Sequence, residues 1–295
     1  MKTFNYLLFT IGFFMVSCNS DADKNGSESE PEEKPFIPCD PIESSWDGER
    51  PVDTYFYPVR PGMEEWGFKT SAEMFNACEV PTDVLEKMST QAIIQTIGEN
   101  PVMYTLFFSP DYYVCRGYTE LALAERNNAG IELTKRHDAG TALLDRLLLV
   151  NPFTNMYDGD IMYESQFIEL ILSQTVFLSQ LNECEKRAVV SIAIKNDNLR
   201  RTNTDWLKGG SMTLSTITTS LLIGLTLDEA RYIPFLYYKS LHDECKMFIE
   251  GRQPSLGIPG RMNPYYYNPN DPKVATVMDA IMDFGRDYIK NNNKY

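Results

Sequence analysis

The sequence predicts an all-α protein: an irregular multi-helix bundle or short α-solenoid preceded by a proline-rich extended strap. Three observations carry this. From Thr70 to the end, Ser, Thr and Asp caps open segments whose apolar residues recur every three or four positions. Before Thr70, Pro35, Pro38, Pro41, Pro51, Pro58 and Pro61 rule out a continuous helix, because an internal proline removes a donor and restricts its predecessor. No repeat of about 34 to 47 residues aligns with itself, which leaves tetratricopeptide and ankyrin arrays unsupported.

The strap covers residues 36–69, with Trp46, Tyr55, Phe56, Tyr57 and Trp66 set among the prolines. Thirty-odd residues seldom hold a core alone, so the aromatics are expected to pack it over the helical domain, residues 70–295. Residues 54–59 form at most a short edge strand.

Thr70 and Ser71 cap a short helix through Cys78, and Pro81-Thr82-Asp83 starts another ending near Met88. Ser89 caps a helix with Ile93, Ile94 and Ile97 on one face, stopped by Gly98 and Pro101. Ser109-Pro110-Asp111 suits a helix start, with Val114, Tyr118, Leu121 and Ala124 forming its stripe. A shorter piece runs toward His137. Asp138 opens a helix bearing Leu143, Leu144, Leu147 and Leu148, which Asn151-Pro152 closes.

Residues 161–181 are apolar on most faces and predict one central buried helix; Glu164, Gln166, Glu169, Gln174 and Gln180 interrupt them too often for a membrane span. Residues 183–195 extend as a second helix with Val189, Ile192 and Ala193 inward, and 196–210 read as a polar loop. Residues 211–225 return to the core, their threonines leaving helix against strand open. Asp228 starts a helix that Pro234 kinks or restarts, continued by Tyr237, Leu241, Cys245 and Phe248. A long loop, 251–272, precedes a last helix with Val274, Val277, Met278, Ile281, Met282, Tyr288 and Ile289 on one face. About nine helices result.

The N-terminus reads as an address. Lys2 and the apolar residues 6–16 are too short to span a bilayer and fit a signal peptide, residues 1–17. Met15-Val16-Ser17-Cys18 resembles the lipobox of bacterial lipoproteins, with Met15 where leucine is commoner; the resemblance implies that Cys18 becomes an acylated anchor. An ordinary secretory signal is the alternative. Residues 18–35 then form an acidic flexible tether, with six acids, two lysines and no large apolar side chain after the cysteine. Such a tether spans roughly 20 to 25 Å root-mean-square. Ser20-Asp21-Ala22-Asp23 is similar to the export signal of surface lipoproteins from Bacteroidetes, which implies an outer-membrane lipoprotein facing the cell surface. A periplasm-facing lipoprotein is the alternative.

With 27 basic residues against 41 acidic ones, the formal charge is -14. Phosphate-rich nucleic acid is excluded as a partner, because an acidic surface gains nothing from counterion release. The expected partners are the membrane, through the N-terminal lipid, and a protein or glycan.

Chemistry-bearing motifs are sparse. There is no G-x-S-x-G, H-E-x-x-H or Ser-x-x-Lys, and His137 and His242 are the only histidines, so no multi-histidine metal site or cofactor is expected. His242 and Cys245 share a helical face at i, i+3 and offer half a metal site or a thiol-imidazole pair; a structural or surface role is the competing reading. Besides Cys18 there remain Cys39, Cys78, Cys115, Cys184 and Cys245, without any C-x-x-C. Apolar surroundings favour buried thiols for the last four, with a bridge between some pair as the alternative. Tyr265, Tyr266 and Tyr267, with Arg261 nearby, form an aromatic run in the long loop, and Trp206 lies beside Lys208 in the polar one. These are candidate ligand or partner contacts, unless they pack their loops onto the bundle.

The run from Val80 through Thr96, with Asn100-Pro101 and the continuation to Leu149, resembles a segment of uncharacterised surface lipoproteins of gut Bacteroidetes, over about 70 of 295 residues. The resemblance implies helices and an envelope location and supplies no catalytic residues. The expected function is a lipid-anchored, non-catalytic binding module. The alternatives are an envelope carbohydrate hydrolase using two carboxylates and an architectural subunit of an outer-membrane complex.

Overall fold

Capping chemistry sets where the helices begin. The computed structural model describes residues 39–67, 70–102, 127–153, 164–202, 211–237, 242–249 and 272–290, and among them it is all-α. Thirteen helices form there: α1 Glu64–Gly67, α2 Ser71–Ala77, α3 Thr82–Leu85, α4 Thr90–Gly98, α5 Asn128–Lys135, α6 Ala139–Leu149, α7 Glu164–Leu172, α8 Thr175–Leu178, α9 Glu183–Thr202, α10 Ser211–Glu229, α11 Ile233–Leu236, α12 His242–Ile249 and α13 Pro272–Lys290. Thr70 and Glu73 close a reciprocal capping box on α2, Ser89 accepts from the Ala92 N–H on α4, and Asn127 accepts from the Gly130 N–H on α5. Asp138 precedes α6 but caps nothing. Its carboxylate accepts instead from the Thr90 hydroxyl at 2.8 and 2.9 Å, joining the starts of α4 and α6.

Two sequence expectations change, at 161–181 and from 196 onward, and the choices left open over 211–225 and 54–59 are resolved. The single helix over 161–181 breaks after Leu172, where Gln174 is extended and both Ser173 Oγ and Gln174 Nε2 donate to the Leu170 carbonyl. Side-chain donors have taken over an acceptor near the helix end. The loop expected from 196 is helical through Thr202: Asn196, Asp197 and Arg200 are buried, Asp197 accepting from Thr216 on α10 and Arg200 donating to partners on α7 and α10. Residues 211–229 are helix rather than strand. Residues 54–59 form no strand: Tyr55 N–H donates to the Thr96 hydroxyl, and Tyr57 is buried with its hydroxyl donating to the Thr96 carbonyl. Pro234 restarts the chain in the first turn of α11, after Arg231 at φ 51° ends α10. The helix expected near Ser109 and the loop over 251–271 lie outside the described residues.

Packing is built on α9, α10 and α13, which contact one another; α7 lies on α10, α6 on α7, and α4 on α5 and α6. Val190, Ile194, Ile223 and Ile281 are buried among them. Close approach needs small residues at two points. A Cβ on Gly285 would sit 2.9 Å from Ile223 Cγ2, and one on Gly140 would overlap the Phe177 carbonyl oxygen of α8. Substituting Gly140 must move backbone, so α6 and α8 keep their spacing only with glycine there.

The strap is fastened along its length. Cys39 is disulfide-bonded to Cys184 at the start of α9, closing a loop 145 residues apart in sequence. Cys78 and Cys245 stay buried thiols, as their apolar surroundings favour, whereas Cys184 is bridged. Ser45 donates to Asp145, Trp46 is buried with its indole N–H on the Glu49 carbonyl, and Arg50 makes a two-pronged pair with Glu99 at 2.8 and 2.9 Å. Asp53 accepts from the Ser89 N–H at 2.6 Å, so a strap carboxylate sits at the first turn of α4.

Reducing the bond, or replacing Cys39→Ser, is expected to lower stability by about 2 to 4 kcal/mol by freeing the unfolded chain. A thermal melt in oxidised and reduced buffer reads this, with chymotrypsin cleavage after Tyr55 and Phe56 reporting strap release. Unchanged melting would contradict a formed bond.

The strap also carries a pH dependence. Burial opposes the charge on Asp53 and on Glu99, but the Ser89 donors and the Arg50 guanidinium outweigh it and hold both carboxyls below their ordinary values. Folded values below unfolded ones mean stability that is present above about pH 4 and is lost as pH falls through the folded values. Between pH 5 and 3 the wild-type chain should lose more stability than an Asp53→Asn, Glu99→Gln double variant, measured by denaturant melts.

Candidate functional site

Helices this apolar should hide hydrocarbon, yet α7, α9 and α10 bury a layer of polar side chains between them. Arg200 is 1% exposed and Glu169 is fully buried. The guanidinium donates through Nη2 to Glu169 Oε1 at 2.5 Å and to Ser165 Oγ at 2.9 Å, and through Nη1 to Thr219 Oγ1 at 3.1 Å. Thr218 and Thr219 donate to the second Glu169 oxygen at 3.3 and 3.0 Å. Asp197, also buried, accepts from Arg201 Nε at 2.6 Å and from Thr216 at 3.5 Å. A buried charge costs several kcal/mol to desolvate, and only a partner with matched hydrogen bonds offsets that. The hydroxyls complete the match around Glu169, so this layer specifies register between three helices. Its carboxylates are sealed from substrate.

Removing one partner, as in Glu169→Gln, should cost about 3 to 5 kcal/mol, whereas Arg200→Met with Glu169→Leu should recover most of it. Denaturant melts of the singles and the double read this; a double as unstable as the worse single would contradict it.

The open site lies under the strap. Helices α4, α6 and α7 leave between them a cleft of about 90 Å3, whose floor is Ile94, Gly98, Phe167 and Ile168. Its polar rim is Gln95, Glu99, Arg146 and Glu164. Arg146 donates to Glu164 Oε1 through Nε at 2.7 Å and also through Nη2, while the Trp46 ring stacks on its guanidinium at 4.9 Å. Glu99 is held by Arg50 from the strap and by Gln95 Nε2 at 2.9 Å. Because Glu99 is kept below the usual carboxylate range, it stays an acceptor near neutral pH and does not act as a proton donor.

Of the residues singled out from the sequence, Cys18, Trp206, Arg261, Tyr265, Tyr266 and Tyr267 lie outside the described residues, as does the His242 side chain. Cys245 is 1% exposed on α12, and burial, then the Glu244 charge, pushes its thiol up to about 12. It stays protonated and packs as a small hydrophobe, with no thiolate to offer a metal or substrate. Among the described residues no group of three metal-ligating side chains gathers, and no helix is long and apolar enough to cross a membrane.

Sequence reasoning passed over Arg146, Glu164 and Glu99. A signal was present for the polar layer: Glu169 inside an apolar run demands a buried cation, and Arg200 was available one helix away. Comparison with known proteins finds no matching family model, no similar curated protein and no similar solved structure.

Proposed function

We propose that this chain is a lipid-anchored envelope protein, acylated at Cys18 and facing the cell surface, whose folded part binds a protein or glycan partner without catalysis. The lipobox-like Met15 to Cys18 and the acidic tether support the anchor. The Cys39–Cys184 bond supports export, since disulfides persist in oxidising compartments.

The observation that carries the binding role is what the fastened strap presents. Phe56 is 60% exposed with the Arg60 guanidinium stacked 3.8 Å from its ring centroid, and Val52 is fully exposed. Aromatic and arginine side chains dominate binding energy at interfaces, and a strap already held by a disulfide, an ion pair and hydrogen bonds loses little further entropy on binding.

Cys18→Ser should move the protein from the membrane fraction to the soluble fraction, and protease added to intact cells should digest the wild-type domain. Phe56→Ser should weaken binding of a purified partner at least tenfold with the melting temperature unchanged. Turnover of a substrate without any stable partner would sink this reading.

A further inference from the structure

We infer that the cleft between α4, α6 and α7 is a site for a small zwitterionic α-amino acid. This is a ligand site separate from the partner-binding surface of the strap.

The ion pairs at the rim leave several polar atoms over. Both Arg146 donors to Glu164 converge on Oε1. Among the described residues nothing bonds to Arg146 Nη1, Glu164 Oε2 or Gln95 Oε1, and all three side chains line the cleft. The rim therefore offers one guanidinium edge that donates to an anion and two oxygen acceptors that suit an ammonium group. Glu99 adds a fixed negative charge beside them, already balanced by Arg50.

Charge selects the ligand class. A simple amine would meet the Arg146 cation, and a simple carboxylate would meet Glu164 and Glu99, so each singly charged ligand gains one contact and suffers one repulsion. A zwitterion gains both: its carboxylate on Arg146 Nη1 and its ammonium between Glu164 Oε2 and Gln95 Oε1. Arg146 suits the first role, because Trp46 behind it and Glu164 beside it fix the plane of its guanidinium.

Size narrows the class. A space of about 90 Å3 is below the roughly 300 Å3 at which pockets for drug-sized ligands begin, which favours a ligand of few heavy atoms. It suits the smallest amino acids, whose side chains would meet Ile94, Phe167 and Ile168 over the space left by Gly98.

The test is calorimetric titration of the chain from residue 18, carrying Cys18→Ser and with its disulfide formed, against glycine, alanine and serine. The controls are acetylated alanine, alanine amide and tryptophan. The three small zwitterions should bind with Kd between about 10 μM and 1 mM, a modest affinity suited to so few atoms. Either blocked derivative should lose at least tenfold, and tryptophan should not bind. Glu164→Gln and Gln95→Leu should each weaken alanine at least fivefold; Gln95→Leu leaves the Arg146 clamp untouched and guards against a folding artefact. No heat with any small amino acid, or equal binding of blocked and free alanine, would overturn the inference. Partner binding through Phe56 would survive that result, so the two readings fail separately.

Discussion

Arg200 and Glu169 meet inside the protein with almost none of either side chain exposed, and the position of α7, one wall of the cleft, follows from that meeting. Glu169 and Ser165 lie on α7, the helix that also carries Glu164, Phe167 and Ile168. Arg200 lies on α9, the helix whose other end holds Cys184 and through it the strap. A hydrophobic interface alone tolerates sliding, because apolar contact has no direction. A guanidinium held by a carboxylate and hydroxyls from two other helices tolerates very little, since any displacement leaves buried charge unmatched.

The strap repeats this logic at the surface with weaker parts. Arg50 with Glu99 and Asp53 with Ser89 are partly exposed contacts, each of modest worth alone. Their effect is to aim Trp46 at Arg146, and Trp46 is buried along with Tyr57. The disulfide then makes the arrangement resistant to loss of any one contact.

Helix starts were legible because caps are local: Thr70 with Glu73 and Ser89 each act within one turn of themselves. The aromatic content of the strap pointed to docking for a similarly direct reason. What was not legible depends on partners far apart in sequence. Arg200 looks like part of a solvated loop until Glu169, 31 residues before it, supplies the reason to turn it inward. Likewise, the break at Gln174 depends on which of several donors reaches the Leu170 carbonyl, and nothing in apolar periodicity encodes that choice. The cleft was invisible for the same reason: Gln95, Arg146 and Glu164 come from three helices, and each alone reads as an ordinary surface residue.

The central claim is that the buried pair holds the cleft in shape, and the most direct measurement is the nitrogen–proton NMR spectrum of the Trp46 indole and the Arg146 Nε group in wild type and in Glu169→Gln. Neither group touches Glu169, so the account predicts shifted or broadened resonances for both, transmitted through α7, under conditions where the variant remains folded. Resonances that stay unchanged while stability falls would mean that the pair stabilises the bundle without positioning the cleft, and would contradict it.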